Sequence, residues 1–230
     1  MTKFCPVCEG PVNNIVGSDG FCICGWSGPM SGALVEPHPA LVRMPYLSID
    51  IETTGLDPET CQILEVGAVY DDWVRPTSQL PTFQRYITHR QIVGEPFALS
   101  MHPAILRQIA QPSKGTCCAP SEFTDVFIGW LLDSCGWDRS VSLTPAGKNY
   151  ASFDRPFLER LPDFKKRVRL HHRTLDPTCL FWQADDTKLP DSKQCLLRAE
   201  LSETGEVAHT ALEDAMMVVK LIRYAAKLKF

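Results

Sequence analysis

Residues Leu47 to Pro58, LSIDIETTGLDP, place two acids inside an apolar run, and this combination limits the folds open to the chain more than any other stretch. On a β-strand alternate side chains share a face, so Asp50 and Glu52 stand side by side while Ile49 and Ile51 point the other way. The apolar neighbours mark a central strand rather than a solvated edge. Two adjacent anions repel unless something positive sits between them.

The rest of the pattern builds a sheet around this strand. A turn at TTGLDP leads to a second strand around QILEVGAVY, and a third around FQRYIT follows RPTSQLP, giving an antiparallel meander. PAILRQIA and SEFTDVFIGWLLDSCG then place apolar residues at helical spacing, with Ser121 as the expected N-cap of the second. SVSLTPAG predicts a fourth strand leading into a helix around YASFDRPFLERL. A fifth strand near VRLHHRTLD, a helix near SKQCLLRAEL and a long helix from about His209 to Lys227 complete the pattern. With 230 residues and 44% hydrophobic content, the chain suits one full-sized α/β domain with a small appendage. The predicted class is a mixed sheet flanked by helices, an architecture that includes the ribonuclease H-like fold.

The appendage is written in cysteine. Four of the ten cysteines fall in the first 24 residues, Cys5 and Cys8 in CPVC and Cys22 and Cys24 in CICGW. Two turn-borne pairs on either side of a short hairpin, NNIVGSDGF with its turn at Ser18, Asp19 and Gly20, can converge on one tetrahedral site. The segment resembles a zinc ribbon over residues 1–35, with CxC in the second pair where most ribbons have CxxC. That resemblance implies one structural Zn²⁺, whose binding supplies folding energy that so short a segment lacks. The other six cysteines are expected to be core thiols. Residues 36–45, the end of the Pro-, Gly- and Ser-rich stretch SGPMSGALVEPHPALVRMP, form a linker in which His38 is a spare ligand or an exposed histidine.

No run approaches the ~18 apolar residues of a membrane span, and MTKFCPVCEG lacks the apolar stretch of a signal peptide, so the expected location is cytoplasmic with no membrane partner. The net charge of −4 gives no global attraction for polyanions. A polyanionic partner would need local basic groups or bound cations.

Two further acids complete a set: Asp154 in GKNYASFDRPFL and Asp214 in AHTALEDA. DIETTGLDP, GKNYASFDRPFL and HTALEDA, in that order, resemble the three exonuclease motifs of the DEDD superfamily, and His209 five residues before Asp214 resembles its DEDDh branch. The resemblance covers residues 46–230 and lies closest to the oligoribonuclease and ribonuclease T groups, although His171 and His172 replace the family's aromatic residue before RTLD. It implies a 3′-to-5′ exonuclease releasing nucleoside 5′-monophosphates, with Asp50, Glu52, Asp154 and Asp214 holding two Mg²⁺ or Mn²⁺ ions that clamp the attacking water and the leaving 3′ oxygen. His209 is then the general base.

The same resemblance places Thr53 and Thr54 near the terminal 3′ hydroxyl and Leu56 as a wedge against the last base; His102 lies in the segment gripping the terminal nucleotide or is a helix-start histidine. Asn149 contacts a phosphate or caps the helix at Tyr150. The run from Lys165 to Arg173 lines a polyanion's path or is a solvated edge, and Trp130 and Trp182 belong to the core or a helix face. Single-stranded RNA is favoured over DNA; a DNA-directed proofreading or repair exonuclease and a non-catalytic binding module on the same fold are the alternatives. A homodimer is implied only by analogy with the family's short-RNA enzymes.

Purified protein is expected to carry one zinc bound through Cys5, Cys8, Cys22 and Cys24. Metal analysis finding none in chelator-free preparations, with all four thiols freely reactive, would overturn the ribbon.

Overall fold

Alternation along the acid-bearing strand decides what packs on each side of the sheet. The computed structural model describes residues 14–16, 19–21, 27–29, 44–202, 204 and 210–227, and the chain divides into two compact units, Met1–Met44 and Pro45–Phe230. In the first, β1 (Asn14–Val16), β2 (Asp19–Phe21) and β3 (Ser27–Pro29) form an antiparallel sheet in that order. Val16 pairs with Asp19, so Asp19 and Gly20, expected in the turn, lie on β2 instead. Cys5, Cys8, Cys22, Cys24 and His38 fall outside the described residues.

The second unit begins with β4 (Tyr46–Thr53), β5 (Ile63–Asp71) and β6 (Thr82–Ile87). There follow α1 (Pro96–Met101), α2 (Pro103–Ala110), β7 (Cys117–Cys118), α3 (Pro120–Asp133) and β8 (Thr144–Ala146). Then come α4 (Asp154–Leu158), α5 (Phe164–Arg167), α6 (Ser192–Arg198) and α7 (Ala211–Lys227). The mixed sheet runs β7-β6-β5-β4-β8. β4, β5 and β6 are antiparallel, whereas β8 runs parallel to β4 and β7 parallel to β6.

One face of β4, carrying Leu47, Ile49 and Ile51, packs with Phe83, with Phe123, Phe127 and Leu131 of α3, and with Phe157 and Leu158 of α4. Phe83 meets Phe127 edge-on at 5.0 Å between centroids, a geometry that adds about 0.5–1.5 kcal/mol beyond area burial. The opposite face receives α7, through Tyr46 and Val69 against Ala215, Val218, Val219 and Ile222. At the far end of this face the buried Asp71 accepts from the Tyr46 hydroxyl at 2.7 Å and from the Arg223 guanidinium at 2.7 and 2.6 Å. Nearer its start, α7 is held by the Ser48 hydroxyl, which donates to the Ala215 carbonyl at 2.8 Å.

Several details depart from the expected pattern. The helix predicted from Ser121 starts at Pro120: Pro at the first position needs no N–H partner, and the Glu122 carboxylate accepts from the Ala119 N–H. The segment near VRLHHRTLD gives only isolated parallel bridges, Leu143 with Leu170 and Ala146 with Leu175. The bridged positions are five apart in sequence on one side and three apart on the other, so the ladder cannot stay in step. The sheet's fifth strand is the two-residue β7, too short to show a period. Of the six cysteines expected in the core, Cys118, Cys135 and Cys195 are buried, Cys61 and Cys117 are half-buried, and Cys179 is exposed. Trp130 packs on Phe83 and Phe127, but Trp182 is half exposed and lies outside any helix or strand. Among the described residues no helix is long and apolar enough to cross a membrane.

Gly67 on β5 is where α7 comes closest to the sheet. A β-carbon there would stand 2.2 Å from the Ala211 carbonyl carbon and the Leu212 nitrogen, both backbone atoms that no rotamer change can move. Gly67→Ala is therefore expected to lift the start of α7 and to cost about 1–3 kcal/mol, measured as a lowered urea midpoint with unchanged slope.

Candidate active site

The α7-facing side of β4 carries Tyr46, Ser48, Asp50 and Glu52 in succession. Opposite them on β5 stand Asp71, Val69, Gly67 and Glu65. The missing side chain at Gly67 lets the first turn of α7 settle above Asp50, and that turn carries Asp214. Asp50, Glu52 and Asp214 each offer a carboxylate oxygen, and the three atoms lie within 4.8 Å of one another.

Asp154 joins from the start of α4 by a different device. β8 pairs with β4 only as far as Ser48, which leaves the next amides on that edge without a ladder partner. The Ile51 N–H donates to Asp154 Oδ1 at 3.1 Å, so one carboxylate both completes the strand's hydrogen bonding and is fixed beside the cluster. Asp154 is 2% exposed.

Like charges at close quarters change how readily these groups ionise. Burial first, and then the charges of Asp154, Asp214, Glu52 and Glu65, raise the Asp50 carboxyl well above its ordinary range. Burial, with Asp214 and Glu65, raises Glu52 to about 7. Asp214 rises to about 7 through burial and Glu213, against the pull of Lys148. For Asp154 burial outweighs backbone hydrogen bonds from its own amide and Ile51, and brings it to about 8.

Asp214 Oδ1 is buried without a hydrogen-bond partner, an arrangement that native interiors rarely leave unexplained. An unmatched acceptor among crowded carboxylates fits a divalent cation, and all-oxygen donors suit Mg²⁺ or Mn²⁺.

His209 lies outside the described residues. Its neighbour Thr210 caps α7, accepting from the Glu213 N–H at 3.3 Å and donating to the Glu213 carboxylate at 2.6 Å. His102 sits between α1 and α2 with Nε2 3.4 Å from Glu52 Oε2, which brings it to the acidic cluster. Leu56 is 74% exposed.

Thr53 and Thr54 are buried. The Thr53 hydroxyl donates to the Gly55 carbonyl at 2.7 Å; that of Thr54 donates to the Val93 carbonyl and accepts from the Gln62 N–H. Both hydroxyls thus brace the turn after β4. Asn149 has a left-handed backbone (φ 57°) and donates its N–H to Asp176 Oδ2. Regular helix begins at Asp154 rather than Tyr150, so Asn149 shapes the preceding turn instead of capping that helix. In the basic run, Lys165 pairs with Glu159, Lys166 with Asp163 and Arg167 with Asp125.

Two residues at this site were not singled out from the sequence. Glu65 interrupts the apolar run ILEVGAVY as Asp50 interrupts its own, and that was the available signal. Glu95 reaches the Leu56 N–H with Oε1 at 3.4 Å, and its own N–H donates to the Thr54 carbonyl; a loop glutamate offers no comparable signal.

No protein-family model matches the chain, and no curated protein matches it in sequence. Solved structures do match. Exonuclease I from Methylocaldum szegediense is 18% identical at a TM-score of 0.52, covering 78% of this chain and 40% of its own. The E. coli Exonuclease I complex with single-stranded DNA is 12% identical at 0.55, covering 81% and 41%. Cell-death related nuclease 4 is 12% identical at 0.56, covering 80% and 64%. The chain thus shares the ribonuclease H-like fold of these nucleases and spans about 40% of the length of the Exonuclease I proteins.

Because each of the four acids binds its proton more tightly folded than unfolded, their contribution to metal-free stability is full below an unfolded carboxylate's pKa of about 4. It is lost as the pH rises to about 7–8, where the folded carboxyls ionise. Urea midpoints with chelator present should fall over this range, and Asp154→Asn should flatten the fall. Added Mg²⁺ or Mn²⁺ should restore most at the alkaline end.

Proposed function

We propose that the chain is a metal-dependent nuclease that removes nucleotides from the 3′ end of single-stranded nucleic acid and releases nucleoside 5′-monophosphates. The observation that carries this reading is the convergence of Asp50, Glu52 and Asp214 from a strand and a helix, around a buried carboxylate oxygen with no donor, with Asp154 alongside. The DEDDh-like motifs on these same residues supply the reaction class.

Asp50, Glu52, Asp154 and Asp214 would hold the cations, which when bound neutralise the cluster and provide Lewis acidity at a phosphodiester. His209, as a neutral imidazole, takes the proton of the attacking water. The motif resemblance reads Leu56, exposed on the turn that Thr53 and Thr54 brace, as the apolar wedge against the terminal base, with Thr53 and Thr54 near the 3′ hydroxyl. His102, 3.4 Å from Glu52, is read from the resemblance as a residue that grips the terminal nucleotide. A strand whose end must enter such a site is trimmed rather than cut internally.

The motif resemblance favours RNA. A second reading, DNA, draws on E. coli Exonuclease I, whose structures of this fold include complexes with a dT13 oligonucleotide and with single-stranded DNA. The zinc ribbon and a homodimer remain part of the proposal from sequence.

Matched RNA and DNA strands labelled at the 5′ end are the test. Strands with a 3′ hydroxyl should give a descending one-nucleotide ladder with Mg²⁺ or Mn²⁺, while circular and 3′-phosphorylated strands should resist. Internal cleavage would refute the assignment. Alanine at Asp50, Glu52 or Asp214 should abolish turnover with metal-free stability held or raised, whereas Asp154→Ala should abolish turnover and also cost about 1–3 kcal/mol, because it leaves the buried Ile51 N–H without its acceptor. His209→Ala should lower the rate by ~10²- to 10⁴-fold with metal affinity nearly unchanged in calorimetry.

A further inference from the structure

The proposed reaction uses four acids, yet a fifth, Glu65, is buried on the same face of the sheet. It is 0% exposed and stands directly opposite Glu52 across the β4–β5 pair. Burying a carboxylate beside other carboxylates is costly unless it is well partnered, so its partners indicate what it does. Glu65 Oε1 accepts from the Gln84 side-chain amide on β6 at 2.5 Å, and Oε2 accepts from the Ala211 N–H at 3.4 Å.

Ala211 is the first residue of α7. The first four N–H groups of a helix have no partner within it, and negative charge is favourable at that end. Thr210 takes the Glu213 N–H; Glu65 takes the Ala211 N–H from 146 positions earlier in the chain. Gly67, two residues on, leaves the gap into which this turn descends, and Ser48 holds the Ala215 carbonyl one residue past Asp214. Asp214 therefore lies between a tether at Ala211 and a tether at Ala215.

We propose that Glu65 is a positioning residue, which docks the first turn of α7 on the sheet and thereby sets where Asp214 stands relative to Asp50 and Glu52. Its link to turnover rests on the nuclease reading above; its link to the helix does not. Glu65 is not among the acids whose carboxylate oxygens converge within 4.8 Å, and its two oxygens accept N–H donors, so it acts through Ala211. The same side chain, through Gln84, ties β6 into the arrangement, so three elements meet on one carboxylate.

The test compares the full-length wild-type chain with Glu65→Gln, Glu65→Asp and Glu65→Ala. Glutamine keeps the length, an acceptor for the Ala211 N–H and a donor for a flipped Gln84. Aspartate keeps the charge but falls one methylene short. Without metal, hydrogen exchange of the 210–218 segment should quicken by roughly 10- to 100-fold in Glu65→Ala and Glu65→Asp, and stay within about 3-fold of wild type in Glu65→Gln. On labelled single strands kcat should follow the same order, falling roughly 10²-fold in the aspartate variant with KM nearly unchanged, since a displacement of about 1 Å at a reacting centre costs that much.

Wild-type exchange in Glu65→Asp would overturn the proposal. So would a Glu65→Gln variant as impaired as Glu65→Ala with its Mn²⁺ affinity lost, which would make Glu65 a ligand. Should Glu65→Ala fail to fold, the aspartate and glutamine variants decide alone. A wild-type chain that hydrolyses no strand would sink the nuclease reading and leave the exchange comparison to judge Glu65 by itself.

Discussion

Carboxylates that share a cleft repel one another, and in this chain that repulsion is met inside the protein. Glu52, Asp154, Asp214 and Glu65 all raise the proton affinity of Asp50, and Glu65 also raises that of Glu52 and Asp214. Groups that repel cannot assemble themselves, so their arrangement has to be imposed by contacts elsewhere. Main-chain hydrogen bonding and core packing do this. The open edge of β4 claims Asp154, the pleat of β4 holds Asp50 and Glu52, and α7 brings Asp214 onto a strip of sheet cleared at Gly67. At its other end α7 is fixed by Arg223 on the buried Asp71, well away from the acids. The scaffold holds the cleft in an arrangement that cations can complete.

The sequence made legible whatever has a period or a strong chemical contrast. Alternation in LSIDIET and the apolar run ILEVGAVY predicted β4 and β5, and helical spacing in PAILRQIA coincides with α2. Asp50 and Glu52 stand out because acids in an apolar run need a reason, whereas Asp154 and Asp214 are legible only through the motifs that contain them. What escaped depends on distances the sequence does not carry. β7 is two residues long and exists because Ile87 and Cys118 meet in space. The strand expected near VRLHHRTLD was broken by extra residues between Leu170 and Leu175, a mismatch visible only against its partner. Glu65 carries the same signal, an acid inside an apolar run, but its meaning depends on Ala211, far along the chain.

The surface electrostatics separate two ways of meeting a polyanion. A net charge of −4 and a basic segment whose Lys165, Lys166 and Arg167 pair with neighbouring acids leave that stretch little free positive potential. Attraction for phosphate would come chiefly from cations in the cleft. Affinity on that basis is local, governed by the few nucleotides nearest the site rather than by a long electrostatic track.

The pairing register of β4 with β5 has a consequence of its own. A shift by one position would set Val66 or Ala68 across from Asp50, turn the apolar face of one strand toward α7, and leave no cleared strip for the helix. A shift by two would keep the faces but put Glu65 or Val69 where Gly67 now admits the first turn. In both cases the acids disperse along with the core packing. The proposed catalytic competence would thereby report correct strand alignment. A misregistered copy would be silent rather than aberrant in specificity, which is a useful safeguard for a chain whose proposed activity destroys nucleic acid.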